Sequence, residues 1–425
     1  MDPWVTHRRG RRARPGLLRR FRGTASRLTE CATHDSLAEN RLDERSRELQ
    51  GARTEQAVSI EELRAAGLYD PESANADERL ALLEWLLDEG ATVSQMVEAD
   101  RDARLIAVGG DLLVFPSGRP LTATQVADRA AVSLEVVERV WRALGLGVPG
   151  PEEEAFTEAD VLVFNEFRAA SELLEERALL EFVRVLGSSL ARIAEAASAI
   201  FGSEVFIPLR EGMTPLERAQ LDQLGRSALM RVPAALDPLF RHVHHSTMRR
   251  ANRAFDPDTT DTIPLTVGFV DLVGFTPLSQ RLSPVELTAM VTEFEARATD
   301  LAAIHEARVV KLIGDEVMFV ALEPTAGCEV ALGLTESFRG EDGRVMPRGG
   351  VTHGRVLARG GDYYGPTVNL ASRIADLAVP DEILADNELR HAVEKAGGSF
   401  CFKSAGRRML KGFDEPIELS SVLRA

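Results

Sequence analysis

Cysteine is nearly absent from this chain of 425 residues. Cys31, Cys328 and Cys401 are scattered without metal-ligand spacing, which excludes a disulfide scaffold and a zinc cluster and suits a reducing cytosol. No apolar run approaches membrane-spanning length and no signal-peptide core is present, so the chain is expected in the cytoplasm. Positive charge is in deficit: the formal net charge is -16, which disfavours general nucleic-acid binding. A phosphate-cradling P-loop is missing too, so hydrolysis of ATP by that route is not expected.

What is present falls into segments. Residues 1–56 break the acidic pattern, with Arg8, Arg9, Arg11, Arg12, Arg14, Arg19, Arg20, Arg22 and Arg27 and little apolar periodicity. That composition predicts a basic disordered arm, although Trp4, Leu17, Leu18 and Phe21 interleave with the charge as at a membrane surface. Residues 57–212 repeat apolar positions at helical spacing, clearest over 78–87 and 173–199, and predict an all-α domain. Within it, residues 121–146 carry the apolar skeleton of a helix-turn-helix. A DNA reader wants basic residues on the second helix. Here Glu135 and Glu138 accompany Arg139 and Arg142, which favours a structural helix pair. Residues 213–262 read as linker helices and residues 263–425 as an α+β domain.

The α+β domain holds the chemistry. Phe-Val-Asp-Leu-Val-Gly-Phe-Thr at 269–276 and Lys-Leu-Ile-Gly-Asp-Glu-Val-Met-Phe at 311–319 each turn an apolar strand at an aspartate. Residues 262–270 predict a buried strand, 284–304 a helix, and 307–313 with 317–321 a hairpin whose tip is Gly314-Asp315. In a strand-helix-hairpin unit of the ferredoxin-like kind, the first strand ends beside that tip. Asp271 and Asp315 would then face one cluster of divalent cations. A Gly-Asp pair is also an ordinary turn; Asp271 is what tips the balance.

Two further blocks follow. Gly-Asp-Tyr-Tyr-Gly-Pro-Thr-Val-Asn-Leu-Ala-Ser-Arg at 361–373 is a polar loop running into a helix, with Pro366 suited to its first position. Asn369 and Arg373 are four apart and share a face, an amide beside a guanidinium fork such as a developing charge on phosphorus calls for. Arg-Arg-Met-Leu-Lys-Gly at 407–412 precedes a last strand at 416–422, and Lys411 there is a point charge for a polyphosphate.

These four blocks, in this order and spacing, resemble the catalytic domain of class III adenylate/guanylate cyclases from about Pro264 onward. The resemblance implies a ferredoxin-like catalytic domain that cyclises ATP, with two divalent cations (magnesium or manganese) per site. It implies that Asp271, Asp315 and the backbone carbonyl of Leu272 hold the metals, and that Lys311 and Asp362 read adenine. Asn369 and Arg373 are implied as transition-state residues, Lys411 as the triphosphate-binding lysine, and Arg355 as a phosphate contact. Adenine presents an acceptor at N1 and a donor at its amino group, which Lys311 and Asp362 complement; guanine reverses that edge. The resemblance also implies a homodimer with two equivalent sites, since one chain supplies the metal residues and the other the rest.

The region before that domain resembles the regulatory half of actinobacterial pH-sensitive adenylate cyclases, on Trp-Arg-Ala-Leu-Gly at 141–145 and Phe-Thr-Glu-Ala-Asp at 156–160. That implies autoinhibition, proton sensing and a small-molecule or lipid effector. His242, His244 and His245 cluster in the linker, where imidazoles change charge near neutral pH. Gly314-Asp315-Glu316 also resembles the diguanylate cyclase signature, but that family lacks the Asn369/Arg373 helix and the Lys311/Asp362 pair. A non-enzymatic regulator with a degenerate cyclase domain is the other alternative; every motif residue is present.

Overall fold

The structure is a computed structural model and describes residues 58–115, 118–202, 212–254, 262–338 and 346–425. The basic arm expected over 1–56 lies outside the described residues. The chain divides into two compact units, Met1–Val108 and Gly109–Ala425. In the first, α1 (Ile60–Ala65) and α3 (Val93–Arg101) begin with capping boxes, Ser59 with Glu62 and Thr92 with Gln95. Each box satisfies two of the N–H groups that a helix start leaves open. Between them α2 (Ala76–Asp88) buries Leu82, Leu83 and Leu86.

The second unit opens within α4 (Val108–Val114) and continues with α5 (Ala123–Ala130), α6 (Leu134–Ala143), α7 (Asp160–Ser171) and α8 (Glu176–Phe201). Val126, Val137, Val140, Phe164 and Leu179 share one core with Phe156, whose ring lies 4.7 Å from that of Trp141. Helices α5 and α6 are the expected pair, joined through Ala131 in the left-handed region. Their cations are paired locally: Arg139 joins α6 to Glu176 of α8 and also meets Glu135 on its own helix, and Arg129 pairs with Glu158 just ahead of α7. Gly187 lets α8 cross the end of α6, since a Cβ there would stand 2.3 Å from the Leu144 carbonyl oxygen. Next come α9 (Pro215–Leu229), capped by Thr214 with Pro215 in its first turn, and α10 (Val232–Ala254). No helix among the described residues is long and apolar enough to cross a membrane.

The remainder is built on one sheet. Its core is β1 (Ile263–Val273), α12 (Pro284–Ile304), β2 (Arg308–Ile313), β3 (Glu316–Ala321), α13 (Pro324–Ser337) and β4 (Met346–Arg359), with the short α11 (Phe275–Ser279) after β1. The order β2-β3-β1-β4 is that of a ferredoxin-like fold. Beyond β4 the sheet extends through β6 (Ile383–Asp386), β8 (Ile417–Arg424) and β7 (Phe400–Arg408), and β5 (Asp362–Tyr364) folds back on β4. Helices α14 (Pro366–Ala375) and α15 (Asn387–Lys395) fill the connections.

Side-chain alternation sorts the sheet into two faces. Val270, Leu272, Val317 and Phe319 point into a core that also holds Phe294 and Ala298 of α12, Val330 and Leu334 of α13, and Leu389 and Val393 of α15. Leu265, Val267, Phe269 and Met318 point to the opposite face, where they meet Ala371 and Ala375 of α14. The expected strand over 262–270 runs on to Val273, so Asp271 lies inside β1 rather than at its end.

Candidate active site

Asp271 follows Leu265, Val267 and Phe269 in the odd register of β1, which puts its carboxylate on the α14 face, where the apolar run breaks. Its strand partners are Glu316 on β3 and Arg348 on β4. Arg348 Nε donates to Asp271 Oδ1 at 2.9 Å and Nη2 to Oδ2 at 3.1 Å. Its Nη1 donates to the carbonyls of Asp376 and Ala378, just past α14, at 3.1 and 3.0 Å. Arg348 belongs to the candidate site by its pairing with Asp271, and the sequence reading passed it over. Its signal was register: the residue opposite an aspartate in an apolar strand is its natural partner.

Asp315 occupies the β2–β3 turn beside Gly314, whose φ is +69°. The Leu272 N–H donates to the Asp315 carbonyl at 3.3 Å and pins the turn against β1. The Leu272 side chain is buried on the far face, so only its backbone is presented here. Burial raises the Asp315 pKa, and the Asp271 charge adds to that. Glu316 is pushed up to about 7, first by burial and then by Asp271, Asp376 and Asp315. Carboxylates crowded against one arginine are short of positive charge, and hard cations bound by carboxylate and carbonyl oxygens supply it. Asp271, Asp315 and the Leu272 carbonyl fit that need. Magnesium in particular takes one or two carboxylates and leaves its other positions to water and substrate phosphate. Among the described residues no three His, Cys, Asp or Glu side chains stand together as a self-sufficient metal site.

The raised Glu316 pKa carries a stability prediction. The folded state holds a proton on Glu316 between about pH 4.5 and 7 that the unfolded chain has lost, so stability falls as pH rises through that window. Glu316→Gln removes the penalty. In chelator it is expected to stabilise by about 1–2 kcal/mol at pH 8, after allowance for partial exposure, and to change little at pH 4. Thermal unfolding at the two pH values checks this.

The second group lies on the same face. Lys311 of β2 stands opposite Met318, whose side chain is in the α14-side core. Lys311 Nζ donates to Asp362 Oδ2 at 2.5 Å, across 51 positions of sequence. Asp362 Oδ1 accepts the Tyr363 N–H at 2.8 Å, which fixes the carboxylate. On α14 the buried residues are Ala371, Ile374 and Ala375. Asn369 and Arg373 fall half a turn from them and are exposed, directed away from the sheet that bears Asp271. Arg373 holds Asp376 at 3.2 Å. Leu410 is buried with Ile374 beneath α14, so the next residue, exposed Lys411, emerges beside that helix.

Arg355 is not gathered with either group. It bonds the Thr262 hydroxyl at 2.8 Å and the Thr262 carbonyl. Arg348 occupies the Asp271 register, and Arg355 lies about 23 Å further along β4 at the usual rise per residue. The three histidines sit exposed on α10, with His242 and His245 on one side and His244 on another. The His244 ring stacks on Phe240 at 5.8 Å, whereas His245 lines a 410 Å³ cavity with Arg249, Arg250 and Arg253.

A sheet face that carries carboxylate oxygens at Asp271 and Asp315 and a donor–acceptor pair at Lys311 and Asp362 is the kind of surface a nucleotide-handling enzyme needs. Comparison with known proteins narrows the class. Residues 56–250 match the adenylate cyclase regulatory domain, and residues 258–420 match the adenylate and guanylate cyclase catalytic domain. An uncharacterized protein of Mycobacterium tuberculosis is 34% identical over 363 residues, 85% of this chain and 93% of that one. A pH-sensitive adenylate cyclase of M. tuberculosis is 31% identical over 357 residues, covering 82% and 88%. An adenylate cyclase of Streptomyces coelicolor is 35% identical over 276 residues, covering 64% and 72%. The chain belongs to the adenylate and guanylate cyclase family, with a regulatory domain ahead of the catalytic one.

Proposed function

We propose that the protein converts ATP to 3′,5′-cyclic AMP and pyrophosphate at sites shared by two copies, under restraint by its helical region. The observation that carries the substrate is the Lys311–Asp362 pair, a donor and an acceptor assembled across 51 positions on the face that bears Asp271. Adenine N1 accepts from the Lys311 ammonium and the 6-amino group donates to Asp362.

The reaction forms a bond from the ribose 3′ oxygen to the α-phosphorus, breaks the bond to the β-phosphate oxygen, and releases the 3′ proton. Divalent cations held by Asp271, Asp315 and the Leu272 carbonyl would supply the Lewis acidity that activates the hydroxyl and steadies the leaving phosphates. The chain's own groups do the rest. Arg373 meets charge developing on the α-phosphoryl oxygens, and Asn369 holds the ribose ring oxygen or a water bound to it. Lys411 and Arg348 supply cations to the triphosphate. Because nucleophile and electrophile belong to one molecule, holding ATP folded in line is much of the catalysis.

The outward direction of Asn369 and Arg373 supports sharing between copies: they are exposed on the side of α14 away from the carboxylates of their own sheet, where a second copy could meet them. A two-fold pairing of such faces completes two equivalent sites.

The test is product formation by the full-length protein from ATP and from GTP with manganese, with products identified by mass. Cyclic AMP as the dominant product supports the reading, and equal or faster turnover of GTP overturns it. Repeating the assay at mildly acidic and mildly alkaline pH tests the restraint. Replacing His242, His244 and His245 by Gln is expected to flatten the profile, and an unmoved profile removes them from proton sensing.

A further inference from the structure

Asp362 sits on a small hairpin gripped from two sides. Arg359 and Asp362 are register partners at its base, and Gly360 and Gly361 form the turn with φ of +61° and +80°. Two successive positive φ values are what a two-residue hairpin of this twist requires, and glycine adopts them without strain. One grip comes from β2: Arg308 Nη2 donates to the Gly361 carbonyl at 2.7 Å, and its guanidinium lies 5.8 Å from the centre of the Tyr363 ring. The other comes from helix α8, in the part of the chain that matches the regulatory domain. Glu181 of α8 accepts a hydrogen bond from Arg359, with Arg177 a second, longer partner at 3.4 Å. One turn further along α8, Val185 lies against the turn itself, 3.8 Å from where a Gly360 Cβ would be. Glu181 and Val185, four apart, share one face of α8, and that face meets the hairpin.

We propose that α8 is a positioning element for base recognition: through Glu181–Arg359 and Val185 it sets where the Gly360–Gly361 hairpin lies, and so where Asp362 meets the purine. This rests on the cyclase reading and deepens it. The helical region is thereby given a route to the site that acts on nucleotide affinity and on the choice between adenine and guanine. It need not touch the metal-side carboxylates. Arg308 keeps the hairpin attached to the catalytic sheet, while α8 biases its position. Both Asp362 oxygens are engaged, Oδ2 by Lys311 and Oδ1 by the Tyr363 N–H of the hairpin itself, so the carboxylate moves with the hairpin.

The experiment compares full-length wild type with Glu181→Lys, Arg359→Glu and the double reversal. Two readouts are taken: hydrogen–deuterium exchange of the segment around residues 357–365, and kinetics with ATP and GTP. An exposed ion pair is worth little, so the expected single-reversal effects are modest, about two- to five-fold. Exchange of the hairpin accelerates by that factor, KM for ATP rises similarly with kcat within about twofold, and the preference for ATP over GTP narrows. The double reversal recovers wild-type values, which loss of a merely structural contact at either site would not. Unchanged exchange in both single variants overturns the contact. Looser hairpins with unchanged KM and base preference overturn its role in recognition. If the wild type makes no cyclic nucleotide, the cyclase reading is what fails, and exchange still decides the contact.

Discussion

Mixing Asp271→Asn chains with Asn369→Ala chains is expected to restore about a quarter of wild-type activity, although each variant alone should be nearly inactive. The figure follows from counting. Random pairing of equal amounts makes half the dimers mixed, and each mixed dimer has one intact site and one doubly damaged site. The Asp271 loss is expected to exceed about a hundredfold, because removing even an outer-shell partner of a metal ligand costs ten- to a hundredfold, and the Asn369 loss to reach about a hundredfold, as for one transition-state donor. Asp271→Asn is near-isosteric but leaves Arg348 only one oxygen to bond, so unchanged thermal unfolding of the variant is the control that its fold is kept. The assay is cyclic AMP formation after the two chains are mixed under conditions that let subunits exchange. No recovery would mean that Asn369 serves the carboxylates of its own chain. That outcome would require α14 to turn over, since Ala371, Ile374 and Ala375 now bury the opposite side of the helix.

Much of the catalytic half was legible because its signals are local. The helix expected over 284–304 is α12, set by Pro284 in the first turn and a Ser283–Glu286 capping box. The Gly314-Asp315 turn is where the change between two apolar strands requires it. Helix α14 begins at Pro366 as the fixed φ of proline favours. What could not be read is what depends on register over long separations. β1 continues past Asp271 because Arg348, 77 residues away, satisfies the carboxylate inside the sheet. A strand scanned alone offers no reason for an aspartate to remain in it. Arg348 was missed for the same reason, since only its partner across the sheet marks it. The α8 grip on the β4–β5 hairpin joins residues 178 apart and leaves no local trace.

One signal was available and unused. The chain has four lysines, Lys311, Lys395, Lys403 and Lys411, against dozens of arginines. Where arginine is so freely used, a lysine marks a place where a compact, rotatable charge serves better than a planar fork. Lys311 and Lys411 are two of the four.

Lys311→Glu is expected to cut kcat/KM for ATP at least about a hundredfold, the lower end for losing one hydrogen bond from a charged group and placing like charges together. Three effects combine. The donor to adenine N1 is gone, a carboxylate now faces an acceptor, and Glu at 311 stands against Asp362 where Lys311 once neutralised it at 2.5 Å. Asp362→Ser added to that variant removes the repulsion and converts the second position to a donor. The pair then reads guanine, whose N1–H donates to the carboxylate and whose 6-oxo group accepts from the hydroxyl. The ratio of kcat/KM for ATP to that for GTP should fall by at least about a hundredfold from wild type. Steady-state kinetics on both nucleotides measure it. If the double variant keeps the wild-type ratio, these two side chains do not touch the base. The hairpin held by Arg308 and α8 would then be positioning something other than a purine edge. A lowered ratio with poor absolute turnover still places them at the base, because selectivity compares two substrates in one site and cancels any general damage to it.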